Sequence, residues 1–150
     1  MKQTLLFTLI SLCFVVLPGC CDETAQDYII IEYIDVIGFD EDYFEDDIDE
    51  GFPELYAIIR IDGETYFTSE VSYNQALPVS IDLESFLFIG EELNSEVKIF
   101  IYDYDTATTE DPIGNATFVP NDFLLQRNRR ETVNGGFLEI DLLLKWECDS

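Results

Sequence analysis

The chain contains no histidine. A Ser/His/Asp or Cys/His nucleophile, a histidine zinc site and a histidine general base are therefore excluded, and most familiar hydrolytic mechanisms go with them. Positive charge is also scarce, with 7 Lys and Arg against 32 Asp and Glu and a formal net charge of −25. Duplex DNA carries one negative charge per ~1.7 Å, so a surface of this sign excludes nucleic acid as a direct partner. The 4 cysteines form no CxxC pair, which removes a thiolate zinc site and thioredoxin-like chemistry. A carboxylate glycosidase needs an acid and a base ~5 to 9 Å apart across a sugar cleft, and a single tryptophan with no groove-forming insertion gives it little to build on. Apolar residues, by contrast, are plentiful: 47% hydrophobic and 14% aromatic content in 150 residues can fill the core of one domain.

The longest apolar run lies at the N-terminus. Lys2 precedes an apolar or hydroxyl stretch from Leu5 to Leu17, shorter than the ~20 residues that span a bilayer, so it reads as a secretory h-region. Leu17-Pro18-Gly19-Cys20 then resembles the lipobox of bacterial lipoproteins, with Pro18 where Ala, Ser or Thr is usual. That resemblance implies cleavage before Cys20, a lipid on Cys20, attachment to a membrane through it, and a location in the bacterial cell envelope, periplasmic or at the surface. An ordinary signal peptide with an incidental cysteine is the alternative. Residues 1–19 are on this reading a leader, 20–27 a tether and 28–148 the folded domain. Loss of Lys2 takes the formal charge from −25 to −26. With Cys13 in the leader and Cys20 acylated, Cys21 and Cys148 are the remaining thiols.

From Tyr28 onward the apolar period is two. Val97, Ile99 and Ile101 alternate with Lys98, Phe100 and Tyr102, and Leu138, Ile140, Leu142, Leu144 and Trp146 alternate mostly with charged residues; both patterns predict half-buried strands. Asp62-Gly63 between 55–61 and 64–68 predicts a tight hairpin, because its turn needs φ > 0. Strands over 28–37, 79–88 and 113–119 bring the number to seven, and Asn121 to Arg130 is a helix candidate that Asn121 could cap. Such a chain predicts an all-β, antiparallel β-sandwich of seven to eight strands. Simple alternation of strand direction gathers three long loops, 38–54, 69–78 and 103–111, at one pole. It also runs the last strand upward, away from the start of the first by roughly 30 Å at ~3.3 Å per residue, which predicts no Cys21–Cys148 bridge.

Residues 40–50 hold eight carboxylates: Asp40, Glu41, Asp42, Glu45, Asp46, Asp47, Asp49 and Glu50. The third loop adds Asp103, Asp105, Glu110 and Asp111. Like charges at 4 Å repel by roughly 1 kcal/mol even in bulk water, so a cation should sit between these loops. Calcium, with 6 to 8 oxygen ligands, is the natural candidate, and the spacing is not that of an EF-hand. Residues two apart on an extended strand exit point the same way, so Asp103 and Asp105 can share one face of an ion while Asp111 closes it. A solvated acidic face is the plainer reading of 40–50 taken alone. Arg127, Arg129 and Arg130 read as a helix-end or solubility group at the pole opposite the acidic loops.

Val97 to Phe118, VKIFIYDYDTATTEDPIGNATF, resembles the sixth strand, third calcium loop and seventh strand of a C2 domain. Pro53-Glu54-Leu55-Tyr56-Ala57 occupies the place of that family's Ser-Asp-Pro-Tyr-Val. The resemblance implies a C2-like β-sandwich over 28–148 that binds Ca²⁺ through Asp103, Asp105, Asp111, Glu54 in place of an aspartate, and a first-loop acid. Asp47 is the choice for the last, with Asp40, Asp42, Asp46 and Asp49 as rivals. Only seven of the family's eight strands are accounted for, and 64–88 holds no Lys or Arg to match the lysine-rich strand some members use for phosphoinositides. The expected function is an exported, lipid-anchored calcium-binding module, not an enzyme, that engages a phospholipid membrane or a protein partner in trans. The alternative is a structural or adhesive surface lipoprotein with the same fold and a degenerate metal site.

Overall fold

Alternation of small apolar and polar residues gives each strand one dry face, and two such faces have to meet. The computed structural model describes residues 27–40, 52–73, 75–104 and 111–148. It contains strands β1 (Asp27–Gly38), β2 (Leu55–Ile61), β3 (Glu64–Thr68), β4 (Val79–Ile89), β5 (Val97–Asp103), β6 (Asp111–Phe118), β7 (Arg130–Gly135) and β8 (Leu138–Cys148). They form two antiparallel four-stranded sheets, ordered β4-β1-β8-β7 and β3-β2-β5-β6. The sandwich expected from the sequence is present.

Ile29, Ile31, Ile34, Val36, Ile81, Leu83, Ile140, Leu142 and Leu144 of the first sheet pack against Leu55, Ala57, Ile59, Val97, Ile99, Ile101 and Ala116 of the second, all essentially inaccessible. Removing one such side chain typically costs 2–5 kcal/mol. The buried series in β1 changes parity between Ile31 and Ile34, because a bulge at Glu32 shifts the register. β4 changes parity likewise between Leu83 and Phe88, around Glu84 and Ser85 at φ 52° and 62°. Each bulge turns the rest of its strand so that apolar residues keep facing inward.

The Asp62-Gly63 turn takes φ 50° and 88°, as the hairpin reading required. At the other edge Gly135 is required by close approach: a Cβ there would lie 1.6 Å from the Asn115 carbonyl oxygen. β6 and β7 thereby close one side of the sandwich.

Three expectations are corrected. The strand missing from the expected seven is β7, which lies late in the chain. Its burial pattern has Val133 as the one buried residue, so an edge strand of this kind carries almost no apolar period. The proposed helix is a single 3-10 turn, Pro120–Phe123, with no side-chain cap at its start; Asn121 donates to Asn94 Oδ1 at 3.1 Å. Phe123 and Leu124 pack on the core, and Arg127 at φ 48° breaks any helical continuation. Inserting β7 also reverses β8, which runs downward, so that Asp27 is the register partner of Cys148. The 30 Å separation behind the unbridged-cysteine expectation is therefore absent.

Candidate functional site

The register places the three long connections at one pole. Gly38 pairs with Glu139 at the upper end of the first sheet. In the second, Leu55 pairs with Asp103, and Asp103 pairs with Asp111. The connection after β3 climbs to the same level, where Leu55 and Ser72 exchange backbone hydrogen bonds of 3.1 and 2.7 Å. The expected gathering of the loops is thus a property of the fold.

Central strand β5 is flanked by β2 and β6, so their ends bring Glu54, Asp103 and Asp111 onto neighbouring backbone positions. Asp103 Oδ1 accepts from the Glu54 amide at 2.9 Å, and the Glu54 carbonyl accepts from the Tyr104 amide at 2.8 Å. These two bonds fix the Asp103 carboxylate against the start of β2. The Asp111 backbone opens β6. Asp105, Asp47 and its rivals Asp42, Asp46 and Asp49 lie outside the described residues, as does Cys20; Asp40 lies two residues beyond the end of β1.

Aromatic packing beneath this cluster holds the two strands together. On the outer face of the second sheet Tyr56 stacks on Tyr102 with centroids 5.3 Å apart, Tyr104 meets Tyr56 edge-on at 6.5 Å, and Phe100 continues the row 6.3 Å from Tyr102. The Tyr56–Tyr102 pair is cross-strand, as the sequence suggested for its Tyr and Phe, while Phe100 extends the row along β5. The sequence reading missed Ser69, a buried hydroxyl that accepts from the Ala57 amide at 2.9 Å and donates to the Glu70 carbonyl at 2.8 Å, pinning the second connection to β2. A serine just past a strand end, where side chains often satisfy backbone groups, was the available signal.

The donor chemistry suits a hard cation, since acidic residues occupy the register partners Asp103 and Asp111 and the position just before β2, Glu54, with no thiol or imidazole among them. Among the described residues no three acidic side chains converge into a ligand set. The strand ends therefore supply a frame, and a full coordination sphere needs acids from 41–51 and 105–110. Exposed apolar side chains share this pole: Phe52, Tyr73, Leu77 and Phe137 come from three different connections and are 39% exposed or more.

Arg130 lies higher than the lower pole expected for the arginine group, while 127–129 run beside the lower half of β8. Arg130 is paired in register with Leu143, halfway along the first sheet, and its Nη1 lies 3.0 Å from Asp35 Oδ2 and 2.8 Å from Asp141 Oδ2. Thr132 also donates to Asp141 Oδ1, at 2.6 Å. The Thr132 hydrogen bond, and then that of Arg130, hold the Asp141 carboxyl below its ordinary value. Arg130 thus offsets Asp35 and Asp141 on the outer face of the first sheet.

No family model and no curated protein matches the chain. Solved structures do match. A C2 domain superposes with a TM-score of 0.52 at 10% identity, covering 83% of this chain and 99% of its own. The calcium-bound tandem C2 domains of extended synaptotagmin 2 give 0.53 at 20% identity over 86% of this chain and 47% of that one. Human GIVD cytosolic phospholipase A2 gives 0.56 at 14% identity over 88% of this chain, which spans 17% of the enzyme. The fold is therefore that of a C2 domain, and Val97 to Phe118 forms its fifth and sixth strands here.

Proposed function

We propose that this domain is an exported, lipid-anchored module that docks through its acidic pole with calcium as the bridging ion. The observation that carries the reading is the register that sets Asp103 between Leu55 and Asp111, with the Glu54 amide bonded to the Asp103 carboxylate, where three long connections meet. Asp105 and Asp47, one from each flanking acidic segment, would complete an oxygen shell for Ca²⁺. Phe52, Tyr73, Leu77 and Phe137 around that pole offer the apolar area that an acidic cluster lacks, to a phospholipid surface or a protein. No reaction is assigned to it.

β1 begins at the pole opposite the acids. A lipid on Cys20 would hold that lower pole near its own membrane and turn the acidic pole outward, toward a partner in trans. Calorimetric titration with calcium, followed by co-sedimentation with anionic vesicles with and without the ion, tests the reading. Absence of both heat and vesicle binding at millimolar calcium would favour the structural module with a degenerate site.

A further inference from the structure

We propose that the free edge of β4 docks an extended, lysine- or arginine-bearing segment of a partner protein, which adds a strand to the first sheet. β4 is the outermost strand of that sheet and is paired with β1 alone. Val79, Ser80, Ile81 and Asp82 pair in turn with Val36, Asp35, Ile34 and Tyr33, down to the bulge at Glu84 and Ser85. In an antiparallel pair every second residue turns its N–H and C=O away from its partner. Among the described residues no segment besides β1 shares a backbone hydrogen bond with Val79–Asp82. The run therefore offers an open ladder.

A groove of about 480 Å³ lies along this edge, with Glu70 and Tyr73 of the second connection on one wall and Ser80, Asp82 and Glu84 on the other. The first wall is tied to the second sheet, because Ser72 exchanges backbone bonds with Leu55 and the Ser69 hydroxyl accepts from the Ala57 amide. The groove is thus built before any ligand arrives.

Its charge selects the occupant. Glu70, Asp82 and Glu84 are exposed, and none of the three is ion-paired among the described residues. The chain has no Lys or Arg between Arg60 and Lys98. A second copy of this chain, at −25, would bring the same carboxylates against these, and an anionic polymer or bilayer carries the same sign. A metal ion is poorly served, since Asp82 Oδ1 accepts from the Glu84 amide at 2.8 Å and no three acidic side chains converge among the described residues. Sheet edges are often guarded by Lys or Pro, and Val79–Ile89 carries neither. Acids guard this edge against its own kind and leave it open to a strand of opposite charge. Val79 and Ile81 are buried while Ser80 and Asp82 are exposed, so cations at every second position of the added strand would line up beside Asp82. Tyr73, 57% exposed, adds a ring face for one of them.

The site does not depend on calcium, so the test is run on the full-length protein in EDTA, at ~0.15 M salt to screen exposed charges beyond ~8 Å. The probe is an end-blocked fluorescent peptide of alternating Lys and Thr, followed by anisotropy. It should bind saturably. N-methylating all its Lys amides, or all its Thr amides, blocks one edge of the strand without changing its charge; one of the two peptides should bind at least about tenfold more weakly and the other nearly as well as the parent. Glu70→Gln with Asp82→Asn, which keeps an acceptor for the Glu84 amide, should weaken binding at least about fivefold with Tm unchanged. Equal affinity of the two methylated peptides would overturn the proposal, as would unchanged binding to the double variant or to a peptide with the same Lys and Thr in two blocks. Each would mean attraction to the acidic surface at large. No saturable binding at ~1 mM peptide would also overturn it, and self-association of the free protein that Asp82→Lys abolishes would make a second copy the occupant.

Discussion

Asp103 carries two roles that one pair of substitutions can separate. Its Oδ1 accepts the Glu54 amide at 2.9 Å, and its charge stands in register with Asp111. Asp103→Asn keeps an Oδ1 acceptor and removes the charge. The calcium-free protein should therefore hold its stability to within about 0.5 kcal/mol, the ordinary range for a change that breaks no contact. Asp103→Ala strips the acceptor from a part-buried amide and should cost about 1–2 kcal/mol. Calcium reads the other role. With Kd near ~10⁻⁴ M and ~1 mM free ion, binding to the native state stabilises by roughly 1.4 kcal/mol, a rise in Tm of about 5 °C. Both variants should lose most of that rise. Thermal melts and urea titrations with and without calcium supply all four numbers. If Asp103→Asn keeps the full calcium response, Asp103 is not a ligand. If it is as unstable as Asp103→Ala without calcium, the hydrogen bond is not what anchors the loop.

Asp105→Asn should likewise remove most of the calcium-dependent rise in Tm while leaving the calcium-free melt unchanged, and a preserved rise would exclude the third connection from the site. Gly135→Ala forces β6 and β7 apart, since the new Cβ would lie 1.6 Å from the Asn115 oxygen; a loss of about 3 kcal/mol in urea unfolding is expected, and one under about 1 kcal/mol would show that the edge is loose. The folded-state value of Asp141 is depressed below 3.8, so its contribution is present above that pH and is lost as pH falls through the lower, folded value. Wild type should therefore lose more stability than Asp141→Asn between about pH 4 and pH 2, and parallel acid curves would refute the assignment. Fluorophores near Asp47 and Asp62 should show no deeper burial at Asp47 when the lipidated protein sits in its own vesicles, because a deeper Asp47 would mean the acidic pole folds back in cis.

The fold was readable where apolar period and turn chemistry agreed. Leu55–Ile61 and Glu64–Thr68 match their expected spans because Asp62-Gly63 fixes the turn between them. β7 was hidden because only Val133 is buried, yet Gly136-Phe137, the two-residue turn between Gly135 and Leu138 with Gly136 at φ 67°, stood as an unused hairpin signal. That one omission reversed β8 and removed the basis for the reading of the cysteines. At the site, Glu54, Asp103 and Asp111 could be placed because strand ends follow from strand spans. The bond from the Glu54 amide to Asp103 could not, since it depends on how β2 and β5 are registered. The apolar residues of the rim, Phe137 above all, carry no pattern in sequence and become a group only when three connections share one pole.

The distribution of cations gives the acidic pole its meaning. The described ion pairs, Arg129 with Glu32, Arg130 with Asp35 and Asp141, and Lys145 with Glu147, lie along the first sheet. Arg60 and Lys98 are register partners on the second, and both lie over the Phe100 ring, at 4.7 and 5.9 Å. Lys98 precedes Asp103 by five residues along the same strand, or about 17 Å at ~3.3 Å per residue, twice the ~8 Å screening length of physiological salt. Neither cation can offset the charge that the strand ends assemble. These five cations thus serve the sheet faces, while Asp103 and Asp111 pair where three connections converge. On the proposed reading, a divalent ion from solution would compensate that charge and, by also accepting a partner's oxygens, would join folding of the pole to docking.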